Sequence, residues 1–146
     1  MEKFKAKKVV YLANAYSSNK EDPDEAALER HSRRALESYI GGKLKTIYGV
    51  TLILPIAISA SMAELCSFGT GFEHWADDDY TFISKSDEVW VLLANGWDKS
   101  IGVRAEIKFA KENGIPVKYI NKNTLELYDE NSNDIFINEY LNDYKL

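Results

Sequence analysis

Four short apolar runs recur along the chain: KKVVYLAN, VTLILPI, DEVWVLLAN and IPVKYIN. Runs of roughly four to eight residues rich in β-branched and aromatic side chains, bounded by polar or glycine-containing stretches, read as strands. Runs that are apolar at nearly every position belong to strands covered on both faces. Longer segments with helical spacing separate them. Strands that alternate with helices in this way predict a parallel sheet with helices on both sides. The expected fold is a single-domain three-layer α/β/α sandwich with a mainly parallel four- to five-stranded sheet, flavodoxin/Rossmann-like.

The first strand is expected at residues 8–13. Ser17 to Asp24 is a polar turn region, and Asp22 or Asp24 can cap a helix starting near Glu25. Leu28, Ala35, Leu36, Ile40 and Leu44 form its apolar face; Gly41-Gly42 either breaks or kinks it. Gly49 punctuates before the second strand, VTLILPI. Residues 57–72 show no decisive pattern, and CSFGTGFE reads as a loop into a helix from about Glu73 to Lys85. DEVWVLLAN is the third strand, Gly102 to Asn113 the next helix, and IPVKYIN the fourth strand. The tail from Thr124 carries a weak strand signal, LELYD, and a terminal helix, IFINEYLNDY. A chain of 146 residues can bury a real core. Residues 1–146 therefore read as one domain, with its core at about 9–120 and a tail at 121–146.

The net charge of -5 excludes a nucleic-acid polymer as the natural partner, because counterion release needs a basic face. It equally disfavours an anionic membrane surface, and no stretch approaches the ~18 apolar residues of a membrane span. The single cysteine, Cys66, has no internal disulfide partner, which points to a reducing cytoplasm. The basic start MEKFKAKKVVYLANAYSS has too short an apolar run for a signal sequence. His31 and His74 lack partners at metal-ligand spacing, so no metal is expected. Neither a P-loop nor G-x-G-x-x-G is present, and no cofactor is expected.

In open parallel sheets, ligands sit beyond the carboxyl ends of the strands, where the strand order reverses. That rule selects the loops Asn14 to Asp24, Pro55 onward, and Asn95 to Gly102. The first carries Asn14, Tyr16, Ser17 and Ser18. The third carries Asn95, Gly96, Trp97, Asp98, Ser100 and Gly102, with Glu106 expected in about the first turn of the helix. Each has two readings. Glu106 is either a first-turn acid that stabilises its helix or a reacting carboxylate. Asp98 is a loop cap or a second acid. Asp77, Asp78 and Asp79 form a run that is ordinarily a solvated face, and Asp87 reads as a cap on strand three. Tyr16, Trp75 and Trp97 either pack or stack on a ligand. Ser17, Ser18 and Ser100 either serve the loops or hold a phosphate.

YLANAYSS at residues 11–18, DDDYTFISKSDEVWVLL at 77–93 and GWDKSIGVRAEIKFA at 96–110 resemble the nucleoside 2-deoxyribosyltransferase-like superfamily. The resemblance runs over about residues 9–120 and is closest to a small phage and bacterial branch with a GW-[DE]-x-S-x-G-x-x-x-E signature. It implies that Glu106, in Gly102-x-x-x-Glu106-x-x-x-Ala110, is a nucleophile near a helix head. Asp98, Asp79 and Tyr16 are implied as its companions. The spacing from Asp98 to Glu106 is two residues longer than in the well-studied transferases. The resemblance also implies a homodimer or larger array in which a neighbouring subunit completes the pocket. The tail NEYLNDYKL, with Tyr140, Leu141, Tyr144 and Leu146, offers apolar surface for it, or packs on its own sheet.

The chemistry that such residues suit is cleavage of an N-glycosidic bond with retention. One carboxylate attacks C1′ as an oxocarbenium ion develops, and a second acid helps the base leave. A position at a helix N-terminus would keep the attacking group ionised. Asp79 or Asp98, raised by acidic neighbours, would hold the proton. The expected activity is cleavage or transfer at that bond in a (deoxy)nucleoside or nucleoside monophosphate. The second reading is a non-catalytic nucleotide-binding module on the same scaffold.

Overall fold

The computed structural model describes residues 3–130. Its elements run β1 (Val9–Ala13), α1 (Pro23–Tyr48), β2 (Thr51–Ile53), α2 (Pro55–Leu65), α3 (Phe72–Ser84), β3 (Glu88–Leu92), α4 (Ile101–Glu112), β4 (Val117–Ile120) and β5 (Leu127–Asp129). The strands form one sheet in the order β2-β1-β3-β4-β5. All neighbours are parallel except β4 and β5, which are antiparallel with Tyr119 opposite Tyr128. The architecture is a three-layer α/β/α sandwich.

Alternation along the strands divides the core in two. Tyr11 and Ala13 of β1 and Val89 and Val91 of β3 pack with Ile83 of α3 and Val103, Ile107 and Ala110 of α4. Val10 and Leu12, with Trp90 and Leu92, face the other way, against Ile40 and Leu44 of α1. Each fully buried aliphatic side chain contributes about 1.5–3 kcal/mol. These two layers hold the carboxyl ends of the central strands at fixed separation.

Asp22 caps α1, its carboxylate accepting from the backbone N–H groups of Asp24 and Glu25 at 2.9 and 3.0 Å. The helix ends at Gly49, whose φ of 64° needs a residue without a Cβ penalty. Gly41-Gly42 does not break it. A Cβ on Gly41 would meet Leu54 Cδ2 at 2.9 Å, so the glycine there serves close packing of α1 on the segment after β2. The buried stripe is Ala26, Glu37, Ile40, Gly41 and Leu44. Leu28 and Ala35, expected on that face, are exposed.

Two further expectations change. The second strand is only Thr51–Ile53, at the sheet edge with Thr51 exposed. Pro55, read as part of that strand, instead opens α2 as its first residue, where a missing N–H costs nothing. A run that is apolar on every side does not distinguish a strand from a buried helix. LELYD does form a strand, whereas the expected terminal helix and the apolar tail residues lie outside the described residues. Among the described residues, no helix is long and apolar enough to cross a membrane.

Candidate active site

From β1 the chain passes through α1 to one side, and from β3 through α4 to the other. The connections that leave the carboxyl ends of these neighbouring strands therefore diverge, and a crevice is expected between them. A cleft of about 750 Å³ opens there. The loop after β1, the start of α2, the segment leading into α3, and the loop and first turns of α4 form its walls.

Tyr11, Asp79 and Glu106 meet in this cleft. Tyr11 reaches it because its position in β1 points to the α3–α4 face. Its hydroxyl donates to Glu106 Oε2, and Asp79 on α3 lies within hydrogen-bonding reach of the same hydroxyl. Glu106 is only 4% exposed. Because α4 begins at Ile101, Glu106 falls in the second turn, past the free N–H groups of the helix start. One of these is already served by Ser100, whose Oγ accepts from Val103 N at 3.2 Å. The expectation that a first-turn position keeps Glu106 ionised is thus corrected. Burial pushes its carboxyl well above the usual range and the neighbouring Asp79 adds to this, while the Tyr11 hydrogen bond opposes it.

Asp79 is pushed up to about 6, first by burial and then by Asp78, with the Tyr11 hydrogen bond acting against both. Burial likewise carries the Tyr11 hydroxyl well above its ordinary range, helped by the charge of Glu106. The charge of Asp79 bears on Glu106, so the two titrate as a pair.

Asn14, Tyr16, Ser17, Gly96, Ser100 and Gly102 also line the cleft, as does Trp75, whose Nε1 donates to Gly69 O at 2.7 Å. Other expected site residues lie elsewhere. Ser18 is outside the lining and its hydroxyl accepts from Lys20 N. Asn95 is exposed and outside the lining. Trp97 is 2% exposed in the core, edge-on to Tyr119 with ring centres 6.0 Å apart. Asp98, in a one-turn 3-10 helix at Trp97–Lys99, is buried but does not line the cleft. Asp87 ties the sheet together: its Oδ2 accepts from Val9 N, and its own N–H donates to Val9 O, both at 2.8 Å.

Two buried polar side chains had no place in the sequence reading. Tyr11 sits inside an apolar strand, where an aromatic ring reads as core. Glu37 sits on the buried stripe of α1, three residues before Ile40 and seven before Leu44. A carboxylate on an apolar stripe is the signal that would have found it.

Compared with known protein families, residues 8–122 match the one described as Domain of unknown function (DUF1937). The chain belongs to the DUF1937 family. The matched DUF1937 span runs from just before β1 to just past β4 and so contains Tyr11, Asp79, Glu106 and all the walls of the cleft. No curated protein matches the chain.

Proposed function

We propose that the cleft cleaves, or transfers the sugar across, the N-glycosidic bond of a (deoxy)nucleoside or nucleoside monophosphate. Glu106 is the nucleophile and Asp79 the acid. The observation that carries this reading is the Tyr11–Glu106 hydrogen bond at the base of the cleft with Asp79 on the same hydroxyl. The resemblance of GWDKSIGVRAEIKFA and DDDYTFISKSDEVWVLL to the nucleoside 2-deoxyribosyltransferase-like superfamily adds to it.

In the reaction, a Glu106 carboxylate oxygen bonds to C1′ while the bond from C1′ to the base nitrogen breaks. Its electron pair leaves with the base, and Asp79 supplies a proton to that nitrogen. Water, or a second base, then attacks C1′ and gives its proton to the Asp79 carboxylate, while the bond from C1′ to the Glu106 oxygen breaks and frees Glu106 as a carboxylate. The pair enters this sequence with one proton. Burial holds that proton on Glu106 at rest; it passes to Asp79, beside the same Tyr11 hydroxyl, before Glu106 attacks. The rings of Tyr16 and Trp75 on the walls offer π-faces to a base. The same reading takes the protein as a cytoplasmic homodimer or larger array, and sedimentation as a monomer at micromolar concentration would overturn that part.

The test is incubation with a panel of deoxynucleosides, ribonucleosides and their monophosphates, with free base followed by chromatography. Release from at least one of them, lost in Glu106→Gln, is the expected outcome. No release from any member, with and without an acceptor base, contradicts the proposal.

A further inference from the structure

The elements that wall the cleft divide by charge. Its acids Glu73, Asp79 and Glu106 stand on α3 and α4. Its cations come from three other segments: Lys20 from the loop after β1, Arg33 from α1, and Lys99 from the 3-10 turn after β3. One acid, Glu29, lies among these cations, and its carboxylate is already engaged by Arg33 at 3.2 Å. The reaction described above uses the acids and gives the three cations no task.

Hydrogen bonds and close approach gather the cations around Arg33. Its Nη1 donates to Ser17 O, and Asn14 Nδ2 donates to the Arg33 carbonyl at 3.2 Å. Lys20 follows Ser17 by three residues, in a turn where Ser18 Oγ accepts from Lys20 N at 3.2 Å. From the other loop, Gly96 passes so close that a Cβ there would meet Arg33 Nη2 at 3.2 Å. The φ of 86° at Gly96, which glycine adopts at little cost, starts the turn in which Lys99 N donates to Gly96 O at 3.2 Å. Arg33 thus ties together the loops leaving β1 and β3, each of which carries a lysine. A guanidinium presents more N–H groups, in a fork that fits phosphate, than Ser17 O and Glu29 Oε1 occupy. Lys20 and Lys99 are exposed and form no ion pair among the described residues.

We propose that Lys20, Arg33 and Lys99 bind the 5′-phosphate of the substrate, so that the cleft takes nucleoside 5′-monophosphates in preference to nucleosides. The inference rests on the function proposed above and names its substrate class. Asp79 and Trp75 stand one helical turn apart on α3 and both line the cleft, which puts the leaving base on that wall. Base and 5′-phosphate leave a nucleotide sugar in different directions, so a base against α3 sends the phosphate towards the loops that Arg33 joins. A phosphate is largely dianionic at neutral pH, and the acids of α3 and α4 repel it. The three cations offset that repulsion and concentrate the anion in the cleft. Arg33 grips as a fork while the lysines act as point charges, and the hydroxyls of Ser17 and Ser100 on the same walls add donors. Phosphate held this way supplies binding energy remote from C1′, which raises kcat/KM. A bare nucleoside gains none of it.

The first measurement needs no turnover: calorimetric titration with ribose 5-phosphate, 2-deoxyribose 5-phosphate, the two free sugars and inorganic phosphate. At least one sugar phosphate is expected to bind ~10²-fold or more tightly than its free sugar, and more tightly than inorganic phosphate. Raising the salt should weaken that binding. Arg33→Met should weaken it by ~10-fold or more, with Arg33→Lys recovering part. Because Arg33 also holds the loops, the double variant Lys20→Met/Lys99→Met, at two exposed positions, provides a test that leaves the fold intact; it too should weaken binding by ~10-fold. Sugar phosphates that bind no better than free sugars, or that bind the variants as well as wild type, overturn the proposal. The second measurement is base release from each nucleoside and from its 5′- and 3′-monophosphates. The 5′-monophosphate is expected to exceed both others in kcat/KM by ~10²-fold, and the lysine variant to reduce that preference by ~10-fold, chiefly through KM. Nucleosides cleaved as fast as their 5′-monophosphates overturn the proposal and leave the N-glycosidic reading standing. Base release from no compound contradicts the function proposed above, and the sugar-phosphate titration still decides whether the cations form a phosphate site.

Discussion

The Tyr11 hydroxyl donates to Glu106 Oε2, joining β1 to α4 across 95 residues of sequence. The bond is buried, and its acceptor is a carboxyl already raised by desolvation. Removing one partner of such a buried bond leaves the other unsatisfied.

Tyr11→Phe keeps the ring in the core and removes only this hydroxyl. We expect a loss of roughly 1–3 kcal/mol in unfolding free energy, measurable by urea titration. Because the hydroxyl opposes the upward shift of Asp79 and Glu106, the acid limb of base release should move to higher pH. Unchanged stability together with an unchanged profile would show that the hydroxyl supports neither carboxyl.

Stability should also depend on pH in a direction set by the buried acids. Glu37 sits at about 8 when folded against an ordinary 4.5, and Asp79 at about 6 against 3.8. The folded state thus binds more protons than the unfolded chain within these windows, so stability falls as pH rises. The contribution of Glu37 is complete below about 4.5 and is lost as pH rises through 8. Each tenfold difference in proton affinity between the folded and unfolded chain is worth ~1.4 kcal/mol, so the loss reaches up to about 4–5 kcal/mol. Urea unfolding at several pH values should show the decline in wild type and a flatter profile in Glu37→Gln. Equal slopes in the two proteins would contradict it.

The two aspartates implied as companions of Glu106 can be separated by the same assay. Asp79 lines the cleft and Asp98 does not. Asp79→Asn should therefore slow base release by ~10²-fold or more, the scale of a general acid, while Asp98→Asn stays within about tenfold. The reverse ranking would place the acid on the α4 side of the site.

What the sequence disclosed follows from which physical signals are local. The parallel sheet was legible because VVYLA and EVWVL are apolar on both faces, as only central strands are. Pro55–Leu65 was not, because PIAISASMAEL has no polar face to set a helical period. The switch point directed attention to loops that wall the cleft, and motif spacing singled out Asp79 and Glu106, which line it. The tyrosine that binds Glu106 was sought at Tyr16, in the loop, and lies at Tyr11, within the strand. A buried strand aromatic has the same local pattern whether its hydroxyl is used or not. Asp98 illustrates the converse: the 3-10 turn after β3 takes up the longer spacing to Glu106 and leaves the carboxyl off the cleft wall.

The central claim is that Glu106 attacks the sugar. The direct measurement is the rate of free-base release by wild type and Glu106→Gln on the best substrate from the nucleoside and nucleotide panel, each protein checked for folding by circular dichroism. Glutamine keeps the shape of the side chain and removes the attacking charge. The expected result is a loss of at least ~10³-fold in the rate with the fold retained. Turnover by Glu106→Gln at close to the wild-type rate would contradict the claim and leave Glu106 a buried acid that serves the fold alone.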